Sequence, residues 1–222
     1  MIVKKEYIRK DDLAIRLSDS LYRVYELFDE YRVSHLPVVS EKGKFLGLIS
    51  ENDAYEQYDT QKNIQNNNIA FQKIFISESD SLFKGIKIIT EHKLSVLPII
   101  CNKEQYMGYI TPLDIVTLLG LNTSFTNQGV LLSLQVNNRD YSLNEITRLV
   151  EGDNAHVTAL YIEDVVDKSY MLVHLKINTD DLSRIIHTLE RFSYSVVNTF
   201  QKSDLDDDEE FKFNSFLKFL NP

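Results

Sequence analysis

Residues 18–53 read SDSLYRVYELFDEYRVSHLPVVSEKGKFLGLISEND, and residues 79–114 read SDSLFKGIKIITEHKLSVLPIICNKEQYMGYITPLD. The two stretches align at a constant offset of 61 without a gap, and 12 of their 36 positions are identical. Ser18-Asp19-Ser20-Leu21 matches Ser79-Asp80-Ser81-Leu82, and Glu30 matches Glu91. Ser34, Leu36 and Pro37 match Ser95, Leu97 and Pro98. Lys42, Gly47, Ile49 and Asp53 match Lys103, Gly108, Ile110 and Asp114. Most other pairs keep their character, as in Tyr22/Phe83, Val38/Ile99, Phe45/Tyr106 and Ser50/Thr111. A third of positions identical at fixed offset, with matching ends, is an internal duplication.

Each copy spells the same elements. Ser-Asp-Ser offers side chains that can accept from the free N–H groups of a first helical turn. Leu21, Val24, Leu27, Phe28 and Tyr31 then recur at helical spacing, as do Leu82, Gly85, Ile86, Ile89 and His92. Strands are predicted at 35–40 and 45–50, and again at 96–101 and 106–111, each pair around a polar turn. A short helix follows from Glu51 or Pro112, and Pro suits a first turn because its missing N–H is not needed there. A leading strand is expected near 14–17 and 74–76. The order is β-α-β-β-α, twice, with an Asn/Gln-rich linker at 61–68.

Composition bounds the rest. A chain of 222 residues that is 43% hydrophobic has room for two modest domains with real cores. The net charge of −9 argues against coating nucleic acid, since no basic surplus is present to meet phosphates. Asp204, Asp206, Asp207, Asp208, Glu209 and Glu210 supply six of those charges, which leaves −3 elsewhere. One cysteine, Cys101, excludes an internal disulfide and argues against a Cys-based zinc site. The first twelve residues have no apolar core of a secretory signal, and no stretch approaches the ~20 apolar residues of a membrane span. A reducing, cytoplasmic setting without nucleic-acid or membrane partners is therefore expected. No glycine-rich phosphate loop is present.

The duplicated part, about residues 1–121, resembles a tandem pair of cystathionine-β-synthase (CBS) domains, often called a Bateman module. The resemblance rests on His35-Leu-Pro-Val-Val and Val96-Leu-Pro-Ile-Ile, then on Gly47-Leu-Ile-Ser-Glu-Asn-Asp53 and Gly108-Tyr-Ile-Thr-Pro-Leu-Asp114. It implies two units packed through their sheets, two clefts, and a regulatory adenosine-containing ligand of the AMP, ADP, ATP or S-adenosylmethionine class. Gly47 and Gly108 would allow close approach of backbone and ligand. Ser50 and Thr111 would receive an anion at a strand–helix junction. Asp53 and Asp114, three residues on, would accept from ribose hydroxyls, and Ser18 and Ser79 are further candidate contacts. Ser/Thr-x-x-Asp is equally an ordinary helix cap. His35 stands where some relatives carry a phosphate-facing base, and Val96 replaces it in the second copy, so the clefts should differ and the first should suit phosphate better.

Beyond residue 122 the pattern changes. A linker is expected at 123–128. Strands are predicted at 129–137, 156–163, 169–177 and 194–200, with helices after Ser142 and after Thr179 or Asp180. This β-α-β-β-α-β order over 129–201 is ferredoxin-like and resembles an ACT domain. The whole chain is then an α+β protein similar to CBS–ACT proteins related to the acetoin-utilisation accessory protein. Its turn, Asn138-Arg139-Asp140-Tyr141-Ser142, lacks the Pro and Gly of an amino-acid-binding ACT turn. Arg139 and Asp140 are either effector contacts or solvated loop charges.

Residues 202–222 combine the acidic run with Phe211, Phe213, Phe216, Leu217, Phe219 and Leu220, an amphipathic pattern too short to hold as a lone helix. It reads as docking on its own chain, on a sister subunit or in a partner's groove. The five histidines, His35, His92, His156, His174 and His187, show no metal-ligand spacing, and no nucleophile motif is present. The expectation is a non-enzymatic, homodimeric regulator without metal. The rivals are a ligand-free interaction scaffold and an accessory subunit of an enzyme.

Overall fold

Leu21, Val24, Leu27 and Phe28 recur at three- and four-residue spacing, and in the computed structural model they line the buried face of helix α1 (Leu21–Tyr31). The described residues are 5–56, 62–67, 69–101, 103–152 and 154–200. The acidic run and the Phe-rich tail lie outside them. The chain divides into two compact units, Met1–Leu119 and Gly120–Pro222.

In the first unit both repeats start and stop their long helix alike. Ser20 caps α1 by accepting from the Arg23 N–H, and Ser81 caps α3 (Leu82–His92) by accepting from the Lys84 N–H. The stops are Arg32 and Lys93, both left-handed at φ 50° and 51°, with N–H groups returned to the Phe28 and Ile89 carbonyls. Strands β1 (Ile15–Arg16), β2 (His35–Val39) and β3 (Phe45–Ser50) form one three-stranded sheet. Strands β4 (Ile76–Ser77), β5 (Leu97–Ile100) and β6 (Tyr106–Ile110) form its counterpart. Ile15 faces Val38 in the first sheet as Ile76 faces Ile99 in the second. Helices α2 (Glu51–Tyr55) and α4 (Pro112–Gly120) complete the repeats. Short 3-10 turns lie at Lys5–Tyr7 and Ile64–Asn66.

The repeats share one core, with Leu21, Leu36 and Ile49 in the same buried cluster as Leu82, Leu97 and Ile110. Their hairpin turns also pair. The Phe45 N–H donates to the Glu104 carbonyl and the Tyr106 N–H to that of Gly43, each at 3.0 Å. The segments ahead of each repeat cross over. Arg9 pairs with Tyr109 through two backbone bonds of 2.9 and 3.1 Å, and Gln72 pairs with Leu48 through two of 2.8 and 2.9 Å. Each leader thus extends the other repeat's sheet.

The second unit is a four-stranded antiparallel sheet in the order β10-β7-β9-β8, the ferredoxin-like arrangement. Its strands are β7 (Val130–Asn137), β8 (Val157–Asp164), β9 (Tyr170–Ile177) and β10 (Ser195–Phe200). Leu132, Leu134, Val173 and Leu175 form its buried face, with Ile146 and Leu149 of α6 (Leu143–Glu151) and Ile185 and Leu189 of α7 (Ser183–Arg191). Ser142 caps α6 through the Glu145 N–H, while the Glu145 carboxylate accepts from the Tyr194 hydroxyl at 2.8 Å. That bond, after burial, holds the Tyr194 phenol up at about 12.

Two expectations shift. A short helix, α5 (Thr123–Thr126), occupies the segment read as a linker. Helix α7 begins at Ser183, because Asp181 Oδ1 accepts from both the Ser183 N–H and hydroxyl and turns the chain there. Among the described residues no helix is long and apolar enough to cross a membrane, and no three His, Cys, Asp or Glu side chains cluster as metal ligands.

Candidate ligand clefts

Each candidate hydroxyl lies where the last strand of its repeat gives way to a helix: Ser50 is the last residue of β3 and Thr111 follows β6. Ser50 caps α2, accepting from the Asp53 N–H at 3.1 Å and donating to Asp53 Oδ2 at 2.6 Å. In the second repeat Thr111 accepts from the Asp114 N–H at 3.2 Å, and its hydroxyl and N–H both donate to Asp114 Oδ2 at 2.8 Å. Hydroxyl and carboxylate therefore lie together in both repeats, in the geometry of a helix cap.

The two carboxylates then diverge. Arg9, carried by the crossed leader, grips Asp114: Nε lies 2.9 Å from Oδ2 and a terminal nitrogen 2.8 Å from Oδ1. Burial pushes the Asp114 pKa up, but the bonds from Arg9 and Thr111 outweigh it and hold it below its ordinary value. Such a two-toothed guanidinium–carboxylate contact is among the stronger exposed ion pairs. Among the described residues Asp53 has no such cation. Its Oδ1 accepts from no described residue, and Gln72 occupies the leader position that Arg9 holds in the other repeat.

His35 faces Ser50 across β2 and β3. Its Nδ1 lies 3.3 Å from both the Ser34 and Ser95 hydroxyls and accepts weakly from the Ser95 N–H at 3.4 Å. Burial lowers its pKa, against a smaller raising effect of Asp53. The side chain is therefore biased toward neutrality, which weakens the phosphate-facing cation expected from the sequence. Val96, its counterpart, is fully buried.

The glycines admit chain. Gly47 (φ 153°) has room for no Cβ, since one would come within 2.6 Å of Phe71 Cβ. At Gly108 (φ 135°) a Cβ would collide with the Arg9 carbonyl. The close approach read as a ligand's is made here by the crossed leaders. Ser18 bonds Glu41 and Ser79 faces Ser77, and among the described residues no hydrogen bond ties either to Ser50, Asp53, Thr111 or Asp114. Arg139 and Asp140 are exposed on their turn, where the Arg139 N–H donates to Asn137. Sequence reasoning missed Arg9 as the partner of Asp114 and Ser95 as a neighbour of His35. The only sequence signal for Arg9 was a basic residue shortly ahead of a repeat whose cap ends in Asp.

The CBS domain family model matches residues 3–58 and 68–120. The first half of the chain is a pair of CBS domains. Homoserine O-acetyltransferase of Methanosarcina acetivorans is 24% identical over 119 residues, covering 54% of this chain and 22% of the enzyme. Inosine-5'-monophosphate dehydrogenase of Mycobacterium tuberculosis is 26% identical over 106 residues, covering 48% of this chain and 20% of the enzyme. The chain thus spans about a fifth of these relatives. Among solved structures, a CBS domain pair/ACT domain protein from Thermotoga maritima aligns with TM-score 0.47 and 18% identity, covering 52% of this chain and 93% of that one. CBSX2 in complex with AMP aligns with TM-score 0.45 and 18% identity, covering 54% of this chain and 96% of that one. The CBS pair is followed by a unit of ferredoxin-like order.

Proposed function

We propose that the CBS pair takes up an adenosine-containing ligand in the cleft of Ser50, Asp53 and His35, and that the protein is a non-catalytic regulator. The supporting observation is the contrast between the two carboxylates: Asp114 is held at both oxygens by Arg9, while Asp53 Oδ1 accepts from no described residue. A carboxylate with a spare oxygen can accept from ribose hydroxyls. The local charge favours adenosine, AMP or S-adenosylmethionine over ADP or ATP, because Asp53 is anionic and His35 is biased toward neutrality. Regulation follows where ligand affinity differs between two arrangements of the chain.

Homodimerisation belongs to the same proposal. Tyr22 and Phe83 hold equivalent places on α1 and α3 and are 57% and 68% exposed. Calorimetry with adenosine, AMP, ATP and S-adenosylmethionine tests the ligand. At least one should bind, with Asp53→Ala weakening it about tenfold or more, the scale of a lost charge-assisted bond. An affinity untouched by Asp53→Ala, or no heat with any of the four, removes the sensor reading. It would leave the scaffold, which the Arg9–Asp114 pair favours in the second repeat.

A further inference from the structure

In the second unit a cavity of about 300 Å³ opens between α6 and α7, apart from the turn at Arg139. Arg148, Leu149, Gly152, Thr188, Arg191 and Phe192 line it. Two arginines thus line one small space, and neither makes an ion pair among the described residues. Their acidic neighbours face elsewhere: Glu151 lies 3.9 Å from His156 and Glu190 lies 4.0 Å from His187. Arg191 stands 5.5 Å over the Phe192 ring. A cation–π contact uses the flat face of a guanidinium and leaves its N–H edge to bond. The Thr188 hydroxyl likewise has no hydrogen bond among the described residues.

Each arginine sits in the last turn of its helix, where a cation complements the helix dipole. That accounts for one arginine per helix. It does not account for two lining one cavity whose described lining holds no carboxylate, in a chain of net charge −9. Like charges in one cavity repel, and an oxyanion between them converts the repulsion into two attractions with forked donors. We propose that this cavity is an oxyanion site, in which Arg148, Arg191 and the Thr188 hydroxyl hold a carboxylate- or phosphate-bearing group. Its volume suits a phosphate monoester or short dicarboxylate, and Leu149 and Phe192 offer apolar wall to a short carbon body. The same chemistry has two sources, a free small anion or this chain's own acidic run at 204–210.

Amide NMR on the full chain distinguishes them, with inorganic phosphate and succinate titrated against matched sodium chloride. Saturable shifts at Gly152, Thr188 and Phe192 are expected, weakened about tenfold by Arg148→Gln or Arg191→Gln. Arg191→Lys keeps the charge but loses the fork, and should fall between. A second arm replaces the acids of 204–210 by Asn and Gln. Tighter phosphate binding in that chain assigns the site to the acidic run, and unchanged binding assigns it to a free anion. The proposal is overturned if both anions shift these amides no more than chloride does in either chain. It is equally overturned if both Arg→Gln variants, folded by thermal melt, leave the shifts intact.

Discussion

Arg9 and Asp114 lie 105 positions apart in sequence, yet their contact is what sets Asp114 apart from Asp53. The folded Asp114 pKa is lowered. Its stabilisation is therefore present above the unfolded carboxylate value near 3.8 and is lost as pH falls through the lower folded value. Arg9→Gln should flatten that acid limb in urea melts at a cost of about 1 kcal/mol or less, since the arginine is partly solvated. On the proposed function it should also add a second adenosine-ligand isotherm, because Asp114 is then released. His35 has the same sign at a higher pH. Its folded pKa is lowered, so the unfolded chain binds the proton more readily, and stability should fall as pH drops from the ordinary histidine value of 6.5 toward the folded value. Melts at pH 7.5 and 5.5 on wild type and His35→Gln check this, and an equal slope in both would refute it.

At the scale of elements, the caps offer a sharp comparison. Ser18-Asp19-Ser20 holds two serines, and only Ser20 accepts from the first turn of α1. Ser20→Ala should cost about 1 kcal/mol in chemical denaturation, and Ser18→Ala a few tenths. The helices and hairpins of both repeats were legible in sequence because each copy confirms the other at an offset of 61, and because period and caps are local signals. So was the pairing of Ser50 with Asp53 and Thr111 with Asp114, which one helical turn enforces. The leaders were not legible. Arg9 and Gln72 hold equivalent places at a spacing of 63, outside the 36 aligned residues, and their partners are remote in sequence. Gly47 and Gly108 signalled a close approach but could not say of what. The start of α7 was misplaced because Asp181 competes with Thr179 and Asp180 as a turn former, and only its bonds to Ser183 decide it.

At the largest scale, the crossed leaders tie each repeat's sheet to the other repeat. Gly108→Ala places a Cβ against the Arg9 carbonyl at a φ that side chains rarely adopt. It should cost about 2–4 kcal/mol, and hydrogen exchange should show lost protection in both repeats rather than in the second alone. Phe83→Asp should leave the fold intact and shift the sedimentation coefficient toward a monomer. An unchanged coefficient would remove α3 from the proposed dimer surface. The reciprocal exchange also bears on how such a chain could arise. A half-length molecule with one leader and one repeat would complete its sheet only with the leader of a second molecule, the topology of a strand-swapped pair. Joining the halves on one polypeptide replaces an encounter that depends on dilution with a tether of fixed effective concentration. On one polypeptide the two leaders need not be alike, and Arg9 stands in one where the other carries Gln72.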